Sequence, residues 1–363
     1  MSIIKDLKFL SANYIPEKLP ARENLVNEIK ENLLRKRCRV LLAGITGTGK
    51  TISVQKVVKL VGKDFILIEI NCSENSSFTT IAQKIIQEIR KKPYKVAGKT
   101  RSELSDYMGK LLRIKRSKHI VFIFDEVDKI LNKKDNHQEI FFPLLNHGDS
   151  SFILISNDTN ILEKLDPRIN SRLSMDVKNV EAYNPNETYH ILKQRAKLSL
   201  INGSYDTNSL IEIAINSSAI GDIRFALRCL EQATLICDRF NKTKIDKEVI
   251  QAVMKNLENI EFDKKFNALP IQLKISLAAV AKESEKEGFA ITYPNSYNRY
   301  LIFIKNLKIM PIGNRRFRDF LNKLKMLGFI FLQDKSLSKR GGRVRIATPN
   351  FDYKKFLRER YYN

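Results

Sequence analysis

Eight residues set the terms on which this chain can fold. Gly44-Ile45-Thr46-Gly47-Thr48-Gly49-Lys50-Thr51 matches GxxxxGK[ST] and directly follows the apolar run Arg39 to Ala43 (RVLLA). Glycines let the backbone turn its N–H groups inward around a phosphate. The lysine reaches the β and γ oxygens, and the threonine hydroxyl can ligate Mg²⁺ at a helix N-terminus. The motif therefore demands a strand, a tight loop and a helix in that order. Gly44, Thr46, Gly47, Thr48, Gly49, Lys50, Thr51 and Ile52 are the expected phosphate-side contacts.

Three further apolar runs share the character of the first: Asp64 to Ile70 (DFILIEI), His119 to Phe124 (HIVFIF) and Ser151 to Ser156 (SFILIS). They are short, β-branched or aromatic, and do not alternate, which suits strands of a parallel sheet buried on both faces. Helical spacing falls between them, at Thr80 to Ile89 and Leu104 to Ile114, so the body is α/β. After about Asn184 the strand signals stop. Amphipathic helices are expected at Glu187 to Leu200, Ser209 to Asn216, Asp222 to Phe240 and Asp246 to Leu257, with Pro185 and Gly221 marking starts and Asp222 an N-cap. From about Lys264 the pattern becomes three helices and a hairpin, the hairpin marked by Lys339-Arg340-Gly341-Gly342-Arg343 with Gly-Gly as the tight turn.

Carboxylates and amides stand where the other strands end. Asp125-Glu126-Val127-Asp128 closes the third run; Asp125 is placed to hold the Mg²⁺ shell and Glu126 to orient or deprotonate an attacking water. Asp128 reads as a helix start. Asn157, just past the fourth run, faces the same crevice and can polarise a water or a γ-phosphate oxygen without competing for the metal. Arg168 and Arg172 follow in Asp166-Pro167-Arg168-Ile169-Asn170-Ser171-Arg172, where either can project to a neighbouring subunit's nucleotide. Arg224 sits in a helix's first turn, where a cation opposes the helix dipole and needs an anion, a γ-phosphate or Asp222, to make it favourable.

The charge is strongly uneven. The 363 residues carry 64 Lys and Arg against 40 Asp and Glu; from residue 264 onward the counts are 22 and 7. Such an excess in little more than a quarter of the chain points to a polyanionic partner for the last module. There, Asn314 to Leu327 reads as a helix with Phe317, Leu321, Leu324 and Leu327 toward a core and Gly328 ending it. Arg315, Arg316, Arg318, Asn322 and Lys325 lie outside that core-facing set. That helix suits a DNA major groove, and the hairpin's Lys339, Arg340, Arg343 and Arg345 an adjacent minor groove or phosphates, with Gly341 and Gly342 allowing close approach. The four cysteines form no CxxC pair, so neither a disulfide framework nor a zinc site is indicated. No apolar run approaches the roughly 18 residues of a membrane span, and MSIIKDLKFL lacks a signal peptide's centre, so an intracellular protein is expected.

Taken together, these residues resemble an AAA+ ATPase: Gly44 to Thr51 is similar to Walker A, Asp125 and Glu126 to Walker B, Asn157 to sensor 1 and Arg224 to sensor 2. The box Tyr14-Ile15-Pro16-Glu17-Lys18-Leu19-Pro20-Ala21-Arg22-Glu23 resembles the one preceding the core of archaeal replication initiators of the origin-recognition-complex/Cdc type. Ile70-Asn71-Cys72, Ile155-Ser156-Asn157-Asp158, Leu165-Asp166-Pro167-Arg168 and Gly221-Asp222-Ile223-Arg224-Phe225-Ala226-Leu227 resemble that family's successive signatures. The resemblance implies an AAA+ P-loop domain (1–183), an all-helical lid (184–260) and a C-terminal winged-helix DNA-binding domain (261–363). It implies ATP or ADP with Mg²⁺, held by Thr51 and Asp125, and an adenine contact from Tyr14, Ile15, Pro16 and Arg22. It further implies an initiator-specific insertion at about Asn71 to Glu103 whose loop near Lys92 to Lys99 touches DNA, and Arg172 as the preferred finger, with Arg168 as the other choice.

The function so implied is ATP-dependent initiation of replication, with slow hydrolysis as the switch. Its partners are duplex origin DNA, the minichromosome maintenance helicase and paralogous initiators, and its place is the cytoplasm, on the chromosome. Two other classes share parts of the pattern: a clamp-loader or transposition-type ATPase, and a nucleotide-locked DNA-binding regulator of transcription or of plasmid or viral copy number.

Overall fold

The computed structural model describes residues 2–114, 118–131, 137–146, 150–287, 291–338 and 341–360. They form two compact units, Met1–Met254 and Lys255–Asn363. In the first, α1 (Glu23–Leu34) precedes β1 (Arg39–Ala43) and α2 (Lys50–Val61), then β2 (Phe65–Asn71), α3 (Phe78–Arg90), α4 (Arg101–Ile114) and β3 (His119–Asp125). Short α5 (Asp128–Leu131) and α6 (Phe141–Leu145) lead to β4 (Ser150–Ser156), α7 (Pro167–Leu173) and β5 (Asp176–Asn179). Helices α8 (Pro185–Ser199), α9 (Thr207–Ile220) and α10 (Ile223–Arg239) complete the lid, and α11 (Lys247–Asn267) carries the boundary between the units.

The five strands pair in the order β2-β3-β4-β1-β5, every pair parallel. Non-alternating apolar runs make such a sheet because both of its faces are covered. Leu41, Ile68, Phe122, Phe124, Phe152 and Leu154 face the core that includes α3, α4 and α6 residues. Val40, Leu42, Val121, Ile123, Ile153 and Ile155 face the core that includes α1 and α2 residues. The fifth strand had no sequence signal. Asp-Val-Lys-Asn is largely exposed and is a strand only because β1 pairs with it along its backbone.

Caps explain where the lid helices begin. Asn184 and Glu187 form a reciprocal capping box with Pro185 in the first turn of α8, and Gly221 ends α9 at φ +78°. Asp222 then caps α10 through the Arg224 N–H.

In the second unit, α12 (Ile271–Glu287), β6 (Ile291–Thr292), α13 (Tyr293–Asn306), α14 (Asn314–Met326), β7 (Ile330–Ser338), β8 (Gly341–Pro349) and α15 (Tyr353–Arg360) form a winged helix. Its antiparallel sheet has the order β6-β8-β7. Four expectations need correction here. Helix α11 runs ten residues past Leu257; β6 and α15 carried no recognised signal; Leu327 is 37% exposed rather than in the core. The hairpin turn is not made by its glycines, because Ser338 pairs with Gly341 and both Gly341 and Gly342 lie in β8. The connection is residues 339–340, so the expected contacts Lys339 and Arg340 lie outside the described residues.

Phe317 holds this unit together. It is fully buried, with the rings of Tyr293, Tyr297 and Tyr300 centred 5.7, 5.2 and 5.1 Å from its own. Phe317→Ala is expected to cost about 3–5 kcal/mol, read as a lower denaturant midpoint by tyrosine emission, the chain having no Trp.

Candidate functional site

The first unit carries a cleft of about 230 Å³ bordered by the glycine-rich loop, the ends of β3 and β4, the N-terminal segment and the lid. Thr46, Gly47, Thr48, Gly49, Lys50, Thr51 and Ile52 line one wall; Asp125, Glu126, Asn157 and Arg224 face the same space. Gly44 lies behind it, its ideal Cβ falling 2.3 Å from the Val180 carbonyl oxygen, so only glycine fits. Gly47 (φ +80°) and Gly49 (φ +86°) take the left-handed conformations the loop requires.

Lys50 is 4% exposed. Its ammonium donates to the carbonyls of Gly44 and Ile45 at 2.7 and 2.6 Å. Burial pulls its pKa below the usual lysine value, and the neighbouring Asp125 carboxylate opposes that. Asp125 shows the reverse. Burial raises its pKa, while the Thr51 hydroxyl and the Glu126 N–H, each donating to it, hold the rise back; both bonds are 2.9 Å. A hydroxyl and a carboxylate in contact are the hard-oxygen pair Mg²⁺ accepts when phosphates and water supply the remaining ligands. The residues present fit that ion. Among the described residues no group of three His, Cys, Asp or Glu offers a metal site.

Glu126 stands at φ +53°, a region side-chain-bearing residues seldom occupy. Its carboxylate accepts a hydrogen bond from the Ser73 hydroxyl, just past β2. Asp128 starts α5 and is 6% exposed; its carboxylate accepts the Asn157 N–H at 3.2 Å and so ties the ends of β3 and β4. Arg224 is held side-on by Asp222, Nε to Oδ1 and Nη2 to Oδ2 both at 3.0 Å.

Other expected contacts lie elsewhere. Of the N-terminal box, Pro16, Leu19 and Pro20 border the cleft, whereas Tyr14, Ile15 and Arg22 do not. Tyr14 packs edge-on against Phe9 at 4.8 Å, behind the wall. Arg22 braces the loop instead: its Nε donates to the Thr48 carbonyl at 3.0 Å and its Nη2 to the Glu181 carbonyl at 2.6 Å, with the guanidinium over the Tyr183 ring. Arg168 is paired with Asp166 at 2.8 Å and Arg172 donates to Asn146 at 2.9 Å, both on the outer surface.

Among the residues that escaped the sequence reading, Arg195 and Tyr183 border the cleft, and Ser73 reaches Glu126 from outside its lining. Arg195 is 2% exposed, its pKa lowered by burial to about 10, and it donates to the carbonyls of Phe9 and Tyr14. An arginine on the apolar stripe of α8 was the signal available. Tyr183 and Ser73 had none, since their roles depend on Arg22 and Glu126 meeting them across the fold.

In the second unit, Arg315, Arg316, Arg318, Asn322 and Lys325 are exposed on α14. Arg318 lies over the Tyr293 ring and Arg316 over Phe320. Arg345 is spent on Asp334, 2.9 Å away, with Nη1 reaching Asn322 at 3.5 Å. Arg343 occupies β8 opposite Ser336.

A carboxyl whose folded pKa exceeds its ordinary 3.8 makes the fold lose stability as pH rises through that interval. At neutral pH the ionised Asp125 is thus a burden on the protein free of metal. Asp125→Asn keeps the Glu126 contact, and the Thr51 hydroxyl can reverse to accept. It is expected to raise the metal-free thermal midpoint at pH 7 by about 2–4 °C, with the gain vanishing toward pH 3, while Mg²⁺ no longer stabilises the nucleotide-loaded protein.

Known proteins share this arrangement. An AAA domain matches residues 34–165, a Cdc6 AAA+ ATPase-type lid domain 189–255, and a CDC6 C-terminal winged helix domain 264–359. The ORC1-type DNA replication protein 2 of Thermoplasma acidophilum is 27% identical over 354 residues, covering 94% of this chain and 87% of the relative. The Aeropyrum pernix ORC1 protein solved in complex with DNA superposes with a TM-score of 0.77 at 23% identity, covering 99% of this chain and 98% of that one. The Aeropyrum pernix ORC2 protein, solved as ADPNP-ADP complexes, gives 0.68 at 19% identity, covering 98% and 96%. Domain order, sequence similarity along nearly the whole chain and fold together make the chain an AAA+ protein with a Cdc6-type lid and winged helix, similar to the ORC1-type DNA replication proteins of archaea.

Proposed function

We propose that the protein is an ATP-regulated initiator that binds duplex origin DNA through its winged helix and takes part in loading the minichromosome maintenance helicase, with slow hydrolysis as the switch. Its working parts are residues 1–183, 184–260 and 261–363, and it acts in the cytoplasm on the chromosome, alongside paralogous initiators. No described helix is long and apolar enough to cross a membrane. The observation that carries the reading is the convergence of Lys50, Thr51, Asp125, Glu126, Asn157 and Arg224 on one cleft.

Each group has a task there. Lys50 exchanges its carbonyl partners for β and γ oxygens, a stronger charge-assisted bond. Thr51 and Asp125 would hold Mg²⁺, which would supply charge neutralisation to the phosphates. Glu126, released by Ser73, orients the attacking water and takes its proton, while Asn157 and Arg224 contact the γ-phosphate. Pro16, Leu19 and Pro20 offer an apolar border to the base. Arg172 is the better finger in trans because it gives up only a neutral amide, whereas Arg168 must leave a carboxylate. On α14, Arg315, Arg316, Arg318 and Asn322 are the groove-facing set, with Gly341, Gly342, Arg343 and Arg345 along the wing. The structurally similar Aeropyrum pernix ORC1 and ORC2 proteins, solved in complex with DNA and as ADPNP-ADP complexes, support both halves of the reading.

Two measurements test it. Glu126→Gln is expected to lower ATP turnover about 10²-fold or more while ATP affinity stays; if origin occupancy and replication ignore that change, the protein is a nucleotide lock and not a switch. With around six phosphates contacted, the logarithm of duplex affinity should fall with log salt at a slope near −5. A flat response removes the winged helix from DNA.

A further inference from the structure

The lid meets the phosphate loop through a carboxylate to which no family motif above gives a task beyond capping. Asp222 caps α10, taking the Arg224 N–H at 2.9 Å, and its two oxygens also grip Nε and Nη2 of the same arginine. On its other side stands Gly47. A Cβ there would lie 2.1 Å from Asp222 Oδ1, and the Ile223 N–H donates to the Gly47 carbonyl at 3.3 Å. The carboxylate is thus wedged between loop and guanidinium.

A negative charge beside a phosphate loop repels a triphosphate unless a cation neutralises it. Here the cation is Arg224, gripped along one edge. A planar guanidinium held side-on has its position and its plane both determined. The third nitrogen, Nη1, has no hydrogen-bond partner among the described residues, and Arg224 borders the cleft. An arginine ordered before its ligand arrives loses less freedom on binding.

We propose, resting on the ATP reading above, that Asp222 is a positioning residue through which the site tells ATP from ADP. By pinning Nε and Nη2 it directs Nη1 to the γ-phosphate. ADP has no group at that point and gains nothing from the pinned arginine.

Asp222→Asn isolates the effect, since asparagine has the same size and caps a helix equally well but cannot grip a guanidinium from two anionic oxygens. ATP and ADP dissociation constants are to be measured on the full-length protein by competition with a fluorescent nucleotide, for wild type, D222N, R224A and the double variant. D222N is expected to lower the ATP-over-ADP preference about tenfold, the worth of one charge-assisted hydrogen bond, almost wholly through ATP. In the R224A background it should change nothing further. A preference that is unchanged or increased in D222N, or a loss that adds to that of R224A, overturns the inference. Asp222→Ser, an uncharged cap, gives the same reading should the asparagine variant not fold. If wild type binds neither nucleotide, the ATP reading itself fails; if it binds both and D222N discriminates normally, only the role of Asp222 does.

Discussion

A parallel strand buried on both faces offers function nothing but its ends, and in this sheet the ends that matter lie together. Register places Ala43 beside Ser156 and Asn71 beside Asp125, so the phosphate loop, the Walker B pair, Asn157 and Ser73 leave the sheet at one edge. Their backbone groups, cut off from water, must find partners there. Cys72 donates to the Asp125 carbonyl at 2.9 Å, Val127 to Ile155 at 3.0 Å and Val180 to Ala43 at 2.7 Å. These cross-ties satisfy the chain and at the same time fix where the side chains leave it. The geometry of the cleft is a by-product of closing the carboxyl ends of a buried sheet.

The same burial makes the site costly to the fold. Lys50 and Asp125 are each pushed by desolvation toward their neutral forms, and Glu126 occupies a left-handed backbone conformation. A chain selected for stability alone would have none of these. They sit instead among groups that compensate in part: carbonyls around Lys50, donors from Thr51 and Glu126 on Asp125, the Ser73 hydroxyl on Glu126. Every one of those compensating partners can be replaced by a phosphate, a metal or a water.

Local rules explain which parts were legible beforehand. Strands β1 to β4 were legible because hydrophobicity alone makes them strands, and the starts of α8 and α10 because Asn184-Pro185 and Gly221-Asp222 are chemical stop and start marks. β5 was not, since three of its four residues are polar and pairing is its only reason to be extended. Nor was the continuation of α11, where no breaker stands between Leu257 and Asn267. In the cleft, residues whose chemistry is explicit in their type line the space expected of them: Gly47, Gly49, Lys50, Asp125 and Glu126. Those acting through a contact distant in sequence, Arg22 on Thr48 and Ser73 on Glu126, become visible only when the fold brings them together. The Gly341-Gly342 reading failed because two glycines permit a turn without requiring one, and the strand register takes both into β8.

The two units spend their arginines differently, and that difference separates what each can sense. In the first, Arg224 and Arg168 are matched to Asp222 and Asp166 two residues away, so from beyond a Debye length of about 8 Å they are nearly invisible. Such a pair responds only to an anion that reaches it and competes at contact. In the second, Arg315, Arg316 and Arg318 have no carboxylate partner among the described residues, and 22 cations face 7 acids over residues 264–363. Charges left unmatched sum into a field that draws a polyanion from a distance and weakens with salt. A single chain thereby holds a contact sensor and a long-range attractor. They differ less in residue type than in whether an aspartate stands two positions before the arginine.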